Sequence, residues 1–268
     1  MSEPEPETET STATNRMGRV LLVGAGPGPA DLMTVRAQQA VKTAQALLYD
    51  ALVAGEVLEL AAAACVKIET GKRAGRASMS QDAINALMLS LARRGLEVVR
   101  LKGGDPSVFG RSGEETAFLA RHGVEVEVIP GVTAASAAAA QFGFPLTHRS
   151  QARRLVFATA RVEHGVLAPE SWPALTDPEA TLALYMARDS LAVVGQALIA
   201  AGRAPDTAAL AVENAGRPEA RLIRADLAAL AAAVQSAGCT GPVVIVVGDV
   251  AALAEAGQGG DKACATPP

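Results

Sequence analysis

The chain has 268 residues, half of them hydrophobic and 19% charged, with aromatics at only 3% and a net charge of −4. That length can bury a full core in one large or two medium domains and excludes a fibrous or wholly disordered protein, while the acidic balance excludes a general nucleic-acid binder. Three widely spaced cysteines (Cys65, Cys239, Cys264) and three unpaired histidines (His122, His148, His164) exclude a disulfide framework and a metal site.

No apolar run reaches the ~20 residues of a membrane helix, and no signal-peptide pattern precedes the first strand, so a cytoplasmic protein without a membrane partner is expected. Residues 1–17 open with MSEPEPETETSTATNR, which has four Glu and no large apolar residue before Met17. Such a stretch cannot offset the entropy of ordering and reads as a disordered acidic tail. The closing residues, 256–268, read as a flexible tail.

Between the tails, strand and helix signals alternate. RVLLVGAG is a β-branched run ending in glycine, DLMTVRAQQAVKTA has helical periodicity, and ALLYD is a second strand. VKIET, a helix from Ser80 to Arg94, LEVVRL, a helix from Gly113 to Arg121 and VEVEVIPG complete a first set. From Thr133 a second set follows: TAASAAAAQFG, RLVFATA, TLALYMA, a helix through GQALIAAG, TAALAVEN, ARLIRADLAALAAAV as one segment, and PVVIVVGDV. Alternation of this kind predicts α/β sheets with helices on their faces, divided into an N-terminal domain over 18–133 and a C-terminal domain over 134–255.

Two glycine-rich turns carry the chemistry. Gly24, Gly26 and Gly28 follow the first strand, which invites a dinucleotide fold, but the third glycine of GxGxxG would fall at Pro29. Asp50, ending the second strand, could hold a ribose in that reading, or could cap the segment that follows. The second turn, RLKGGDPSVFGRSGEE over 100–115, carries far more turn residues than chain closure requires, which predicts a ligand against its backbone. GxxxxGK[ST] is absent, so that ligand need not be a phosphate.

VGAGPGPADLMT, YDALV, GKR, LKGGDPSVFGRSGEE, IPGVTAASAAA, GFPLTHR, YMA and GPVVIVVG occur here in the order and spacing of a known family. Over residues 18 to 253 the chain resembles the uroporphyrinogen-III C-methyltransferases, tetrapyrrole methylases that use S-adenosylmethionine. The resemblance implies two consecutive α/β domains with the active site in the cleft between them, a cytoplasmic homodimer, and a tetrapyrrole substrate with eight rim carboxylates. It implies cofactor contacts at Pro27, Gly103, Gly104, Asp105, Val108, Thr133, Ala134, Met186 and Ala215, with Asp50 as catalytic base and Lys72 as acid.

Rim carboxylates call for arginines, whose planar forks pair with them. Arg111 and Arg149, inside the family-like GRSGEE and PLTHR segments, are the substrate candidates, ahead of Arg73, Arg76, Arg153, Arg154 and Arg161. Two segments depart from the family: Ala160 and Arg161 stand for Gly and His, and NAGRPEAR lacks the usual Thr and Gln. A sister methylase acting on a later precorrin, and a nucleotide-binding α/β protein without methyl transfer, are the alternatives.

Overall fold

A computed structural model describes residues 17–71, 79–159, 162–163, 166–167 and 175–255. Two five-stranded sheets carry the fold. The first holds β1 (Arg19–Gly24), β2 (Ala46–Tyr49), β3 (Val66–Glu69), β4 (Val98–Lys102) and β5 (Glu125–Ile129) in the order β3-β2-β4-β1-β5, all parallel. Both faces of its central strands are buried, which is why they read as unbroken apolar runs rather than as alternation. Leu21, Val23, Leu47, Val99 and Leu101 face α1 (Val35–Thr43) and α2 (Gly55–Glu59). On the other side Val20, Leu22, Leu48 and Val98 face α3 (Gln81–Arg93) and α4 (Ser112–Arg121).

Helix starts follow the capping residues. Thr34 accepts the Ala37 N–H at 3.1 Å, Ser80 the Ala83 N–H at 3.2 Å, and Thr133 the Ser136 N–H at 3.1 Å, each satisfying a donor the helix cannot.

The second sheet is mixed, in the order β11-β10-β12-β9-β6. β6 (Arg154–Thr159) runs parallel to β9 (Ala180–Tyr185), while β12 (Val243–Val247) pairs antiparallel with β9, β10 (Ala208–Glu213) antiparallel with β12, and β11 (Arg221–Asp226) antiparallel with β10. A two-residue hairpin, β7 (Val162–Glu163) and β8 (Val166–Leu167), lies between β6 and β9 in sequence. One face packs on α5 (Ala134–Gln141), Phe142 and Phe144, the other on α6 (Leu191–Ala200) and α7 (Leu227–Ser236). The run ARLIRADLAALAAAV is thus two elements, strand β11 and helix α7, joined at Asp226 in extended conformation. Pairing with β10 selects the strand in a segment whose periodicity alone could not divide it.

Candidate active site

In an open parallel sheet, ligands sit in the crevice beyond the carboxyl ends of the strands. Here a cleft of about 720 Å³ lies there, lined from the first sheet by the turns after β1, β2, β4 and β5 and from the second by those after β9 and β10 and before β12.

Its floor is three glycine turns in direct backbone contact. Gly26 and Gly104 exchange N–H···O bonds of 3.2 and 2.7 Å, and both have left-handed φ, +70° and +68°. A Cβ on Gly131, at the end of β5, would stand 2.2 Å from the Gly104 carbonyl oxygen. Only glycine lets these chains approach so closely.

Asp105 locks the arrangement. It accepts the Gly131 N–H at 2.9 Å, the Ser107 N–H at 2.7 Å and the Ser107 hydroxyl, so its carboxylate is engaged by the loop and by β5's turn. Partial burial pushes this carboxyl up, but the Ser107 hydroxyl and the N–H groups of Gly131, Ser107 and Val108 outweigh it, holding the group below the usual carboxylate range. A carboxyl depressed in the folded state stabilises above its unfolded value and loses that contribution as pH falls through the folded one. Asp105→Ala is therefore expected to lower stability near neutral pH by roughly 1–3 kcal/mol. The gap from wild type should close as the pH drops below the ordinary carboxylate range. Thermal denaturation across that range checks this, and a gap independent of pH counts against it.

Among the described residues, four non-glycine residues have left-handed backbones, Phe109, Arg111, Met186 and Asn214, with φ between 54° and 57°, and all four line the cleft. Such conformations cost roughly 1–3 kcal/mol each and persist only where the surroundings impose them. Phe109 and Met186 are 41% and 69% exposed, leaving apolar surface at the mouth. The Phe109 ring stands 5.3 Å from Tyr185, joining the two sheets' turns, and the Tyr185 hydroxyl accepts the Ala135 N–H at 3.2 Å.

Asp50 lies on the cleft wall just past β2. Its side chain caps no helix: α2 begins after Ala54, and Asp50 Oδ1 is buried with no hydrogen-bond partner. Its other oxygen stands 3.6 Å from the Arg100 guanidinium. Behind it lies a buried charge cluster that sequence reasoning missed. Arg100 and Lys102, 4% and 5% exposed on one face of β4, converge on Glu115 of α4, which is fully buried. Lys102 donates to both carboxylate oxygens at 3.1 and 3.0 Å, Arg100 to one at 3.4 Å, and Gln81 to the same oxygen at 3.0 Å. Burial, with Arg100 beside it, pushes the Lys102 ammonium below the usual lysine range, against the pull of Glu115 and Asp50. Two cations two residues apart in an otherwise apolar strand were the available signal, since buried charges need partners.

Arg217 ties the two halves together, donating to the Leu52 carbonyl at 2.8 Å while Gln141 holds its loop at Gly216 N and Arg217 O. Arg111 pairs with Glu114 at 2.9 and 2.6 Å, both more than half exposed, a contact weak enough for an incoming carboxylate to replace.

The cleft brings together Asp50, Pro27, Gly103, Gly104, Asp105, Val108, Arg111, Thr133, Ala134, Met186 and Ala215. Arg149 is not among its lining residues. The chain turns back there through a His148–Ala152 bridge, leaving Arg149 exposed ahead of β6. Arg154 is held by Asp177 and Glu179 outside the cleft. Lys72, Arg73, Arg76, Ala160 and Arg161 lie outside the described residues.

Two sheets meeting over one strained, glycine-floored cleft, with a carboxylate and several cations on its walls, define a small-molecule-binding α/β protein of the enzyme type. The family model for Tetrapyrrole (Corrin/Porphyrin) Methylases matches residues 19–231, and the chain belongs to that family. The siroheme synthase of Chromobacterium violaceum is 46% identical over 241 residues, 90% of this chain and 51% of that protein. The uroporphyrinogen-III C-methyltransferase of Paracoccus denitrificans is 41% identical over 239 residues, 89% of this chain and 83% of its own. Among solved structures, uroporphyrin-III C-methyl transferase from Thermus thermophilus complexed with S-adenyl homocysteine superposes with a TM-score of 0.73 at 40% identity, covering 88% of this chain and all of that one. The chain spans about half the length of the siroheme synthases it matches.

Proposed function

We propose that this chain binds S-adenosylmethionine in the cleft and methylates uroporphyrinogen III at two ring carbons, giving precorrin-2. The observation that carries the reading is the convergence of the strained residues and the glycine floor on one cleft beside Asp50, in a chain of this family. The cleft suits the cofactor chemically: its wall offers backbone polar groups and apolar surface around Pro27, Val108, Ala134, Met186 and Ala215, and no phosphate-binding lysine loop.

Bound there, S-adenosylmethionine supplies a methyl group on a sulfonium that leaves as a neutral thioether. The protein's own part is to orient the pyrrole carbon in line, exclude water and remove a proton. Asp50 takes that proton from the bridge carbon beside the newly quaternary ring carbon. Arg111 receives a rim carboxylate in exchange for Glu114, and Phe109, Met186 and Leu52 provide apolar contact for the macrocycle. Arg149 has no support from this cleft as a substrate ligand. Lys72 as acid, the division of the chain at 133/134, the cytoplasmic location and the homodimer belong to the same proposal. No helix among the described residues is long and apolar enough to cross a membrane.

The test is the mass of the product formed from uroporphyrinogen III and S-adenosylmethionine. Gain of two methyl groups is expected. A protein that leaves uroporphyrinogen III untouched but methylates a later precorrin would overturn the substrate, and one that binds NAD and not S-adenosylmethionine would overturn the class.

A further inference from the structure

Arg100 stands on the cleft wall, and its guanidinium is tightly held. The side chain is 5% exposed, and each guanidinium nitrogen has its own partner. Nε donates to Glu115 Oε1 at 3.4 Å, one terminal nitrogen to the Leu101 carbonyl at 3.3 Å, and the other faces Asp50 Oδ2 at 3.6 Å. Glu115 is itself fixed by Lys102 and Gln81, and Gln81 is hydrogen-bonded to Asn85 of α3 at 3.1 Å. The planar fork therefore cannot rotate without breaking bonds to two elements, and what it presents to Asp50 is a fixed positive charge.

Asp50 in contrast has little else to hold it. Oδ1 has no partner, and 30% of the side chain is exposed to the cleft. A carboxylate that must accept a proton at a defined point has to be oriented by something that does not itself compete for that proton. A guanidinium meets this requirement, because it stays charged throughout and cannot act as a base.

Resting on the Asp50 base reading, we propose that Arg100, held from behind by Glu115, is a positioning residue: it orients the Asp50 carboxylate for proton removal and touches neither substrate nor cofactor. Glu115 and Lys102 act one step further back, as the frame that fixes Arg100. The ion pair keeps Asp50 in one orientation as the macrocycle arrives, so the arginine's contribution exists only while Asp50 is a carboxylate.

A double-mutant cycle tests this. Single-turnover methyl transfer is measured for wild type, Arg100→Met, Asp50→Asn and the double variant, at saturating S-adenosylmethionine and uroporphyrinogen III, with S-adenosylhomocysteine affinity measured in parallel. Arg100→Met is expected to slow the wild-type background ten- to a hundredfold, on the order of the loss from a misplaced catalytic group. In the Asp50→Asn background it should slow transfer by no more than about twofold, because the group it positions no longer takes a proton. S-adenosylhomocysteine affinity should stay within about twofold in all four proteins.

Equal losses in both backgrounds would overturn the inference and leave Arg100 as a structural residue. Arg100→Lys, which keeps the charge and loses the fork, is carried through the same cycle should Arg100→Met fold poorly, with the same two outcomes. Full activity of both Arg100 variants would overturn it as well. A full-rate Asp50→Asn enzyme overturns the base reading and this inference together, whereas a slow Asp50→Asn enzyme with additive Arg100 losses overturns this inference alone.

Discussion

Asp50→Asn is expected to lower turnover by ~10²-fold or more, the range typical of removing a general base, while S-adenosylhomocysteine binds as tightly as to wild type. The substitution keeps the side chain's shape and replaces only the group that can accept a proton. Structure sharpens the contrast with a capping role: the Asp50 carboxylate supports no helix N-terminus, and Oδ1 has no donor. Losing it therefore removes no cap, and the fold should tolerate the change. Single-turnover methyl transfer and calorimetric titration, run on the same preparation, check both halves. A near wild-type rate would leave Asp50 without a catalytic role and the family membership untouched.

Glu115→Ala should have the largest effect on stability, about 3–5 kcal/mol, the usual cost of breaking a buried ion pair from one side. Glu115 is fully buried and is the shared partner of Arg100 and Lys102, themselves almost fully buried. Removing it strands two cations in the interior beside each other. Glu115→Gln, which keeps the volume and one acceptor oxygen, should cost less. Replacing the whole cluster, as Arg100→Met/Lys102→Met/Glu115→Leu, should recover much of the loss, because an apolar set of similar size needs no desolvated charge. Methyl transfer should not recover with it if Arg100 positions Asp50. Urea unfolding of the three variants decides the order, and equal stability of Glu115→Ala and wild type would show the cluster to be solvated.

A role for charge buried behind an active site is hard to see along the chain. Arg100 and Lys102 stand two apart, which on a strand places them on one face, but LEVVRLK reads first as an apolar strand running into a turn. Their partner sits thirteen or more residues away on a helix whose N-terminal sequence, SGEE, looks like ordinary acidic capping. Only the packing of α4 on the same face of the sheet as α3 turns Glu115 inward while its neighbour Glu114 remains exposed.

The left-handed residues divide the same way. Glycine at 26 and 104 is a direct sequence signal for positive φ, and Asn214 a weaker one. Phe109, Arg111 and Met186 carry no such signal, since for them the conformation is imposed by tertiary contacts against their local preference.

What the sequence determined by itself was the α/β class, the order of strands and helices apart from the division of residues 220–234 into β11 and α7, the glycine turns after β1 and β4, and Asp50 at a strand end. Each of these is written in local terms, as a two- or 3.6-residue period, a capping side chain, or a residue type that alone permits a given backbone. The tertiary structure decided which loops meet: that Asp105 reaches across to Gly131, that Arg217 spans to Leu52, that Arg149 turns away while Arg111 faces the cleft. Sheet order and domain docking set those distances, and no local pattern encodes them, because they depend on contacts between residues as far apart as 165 positions.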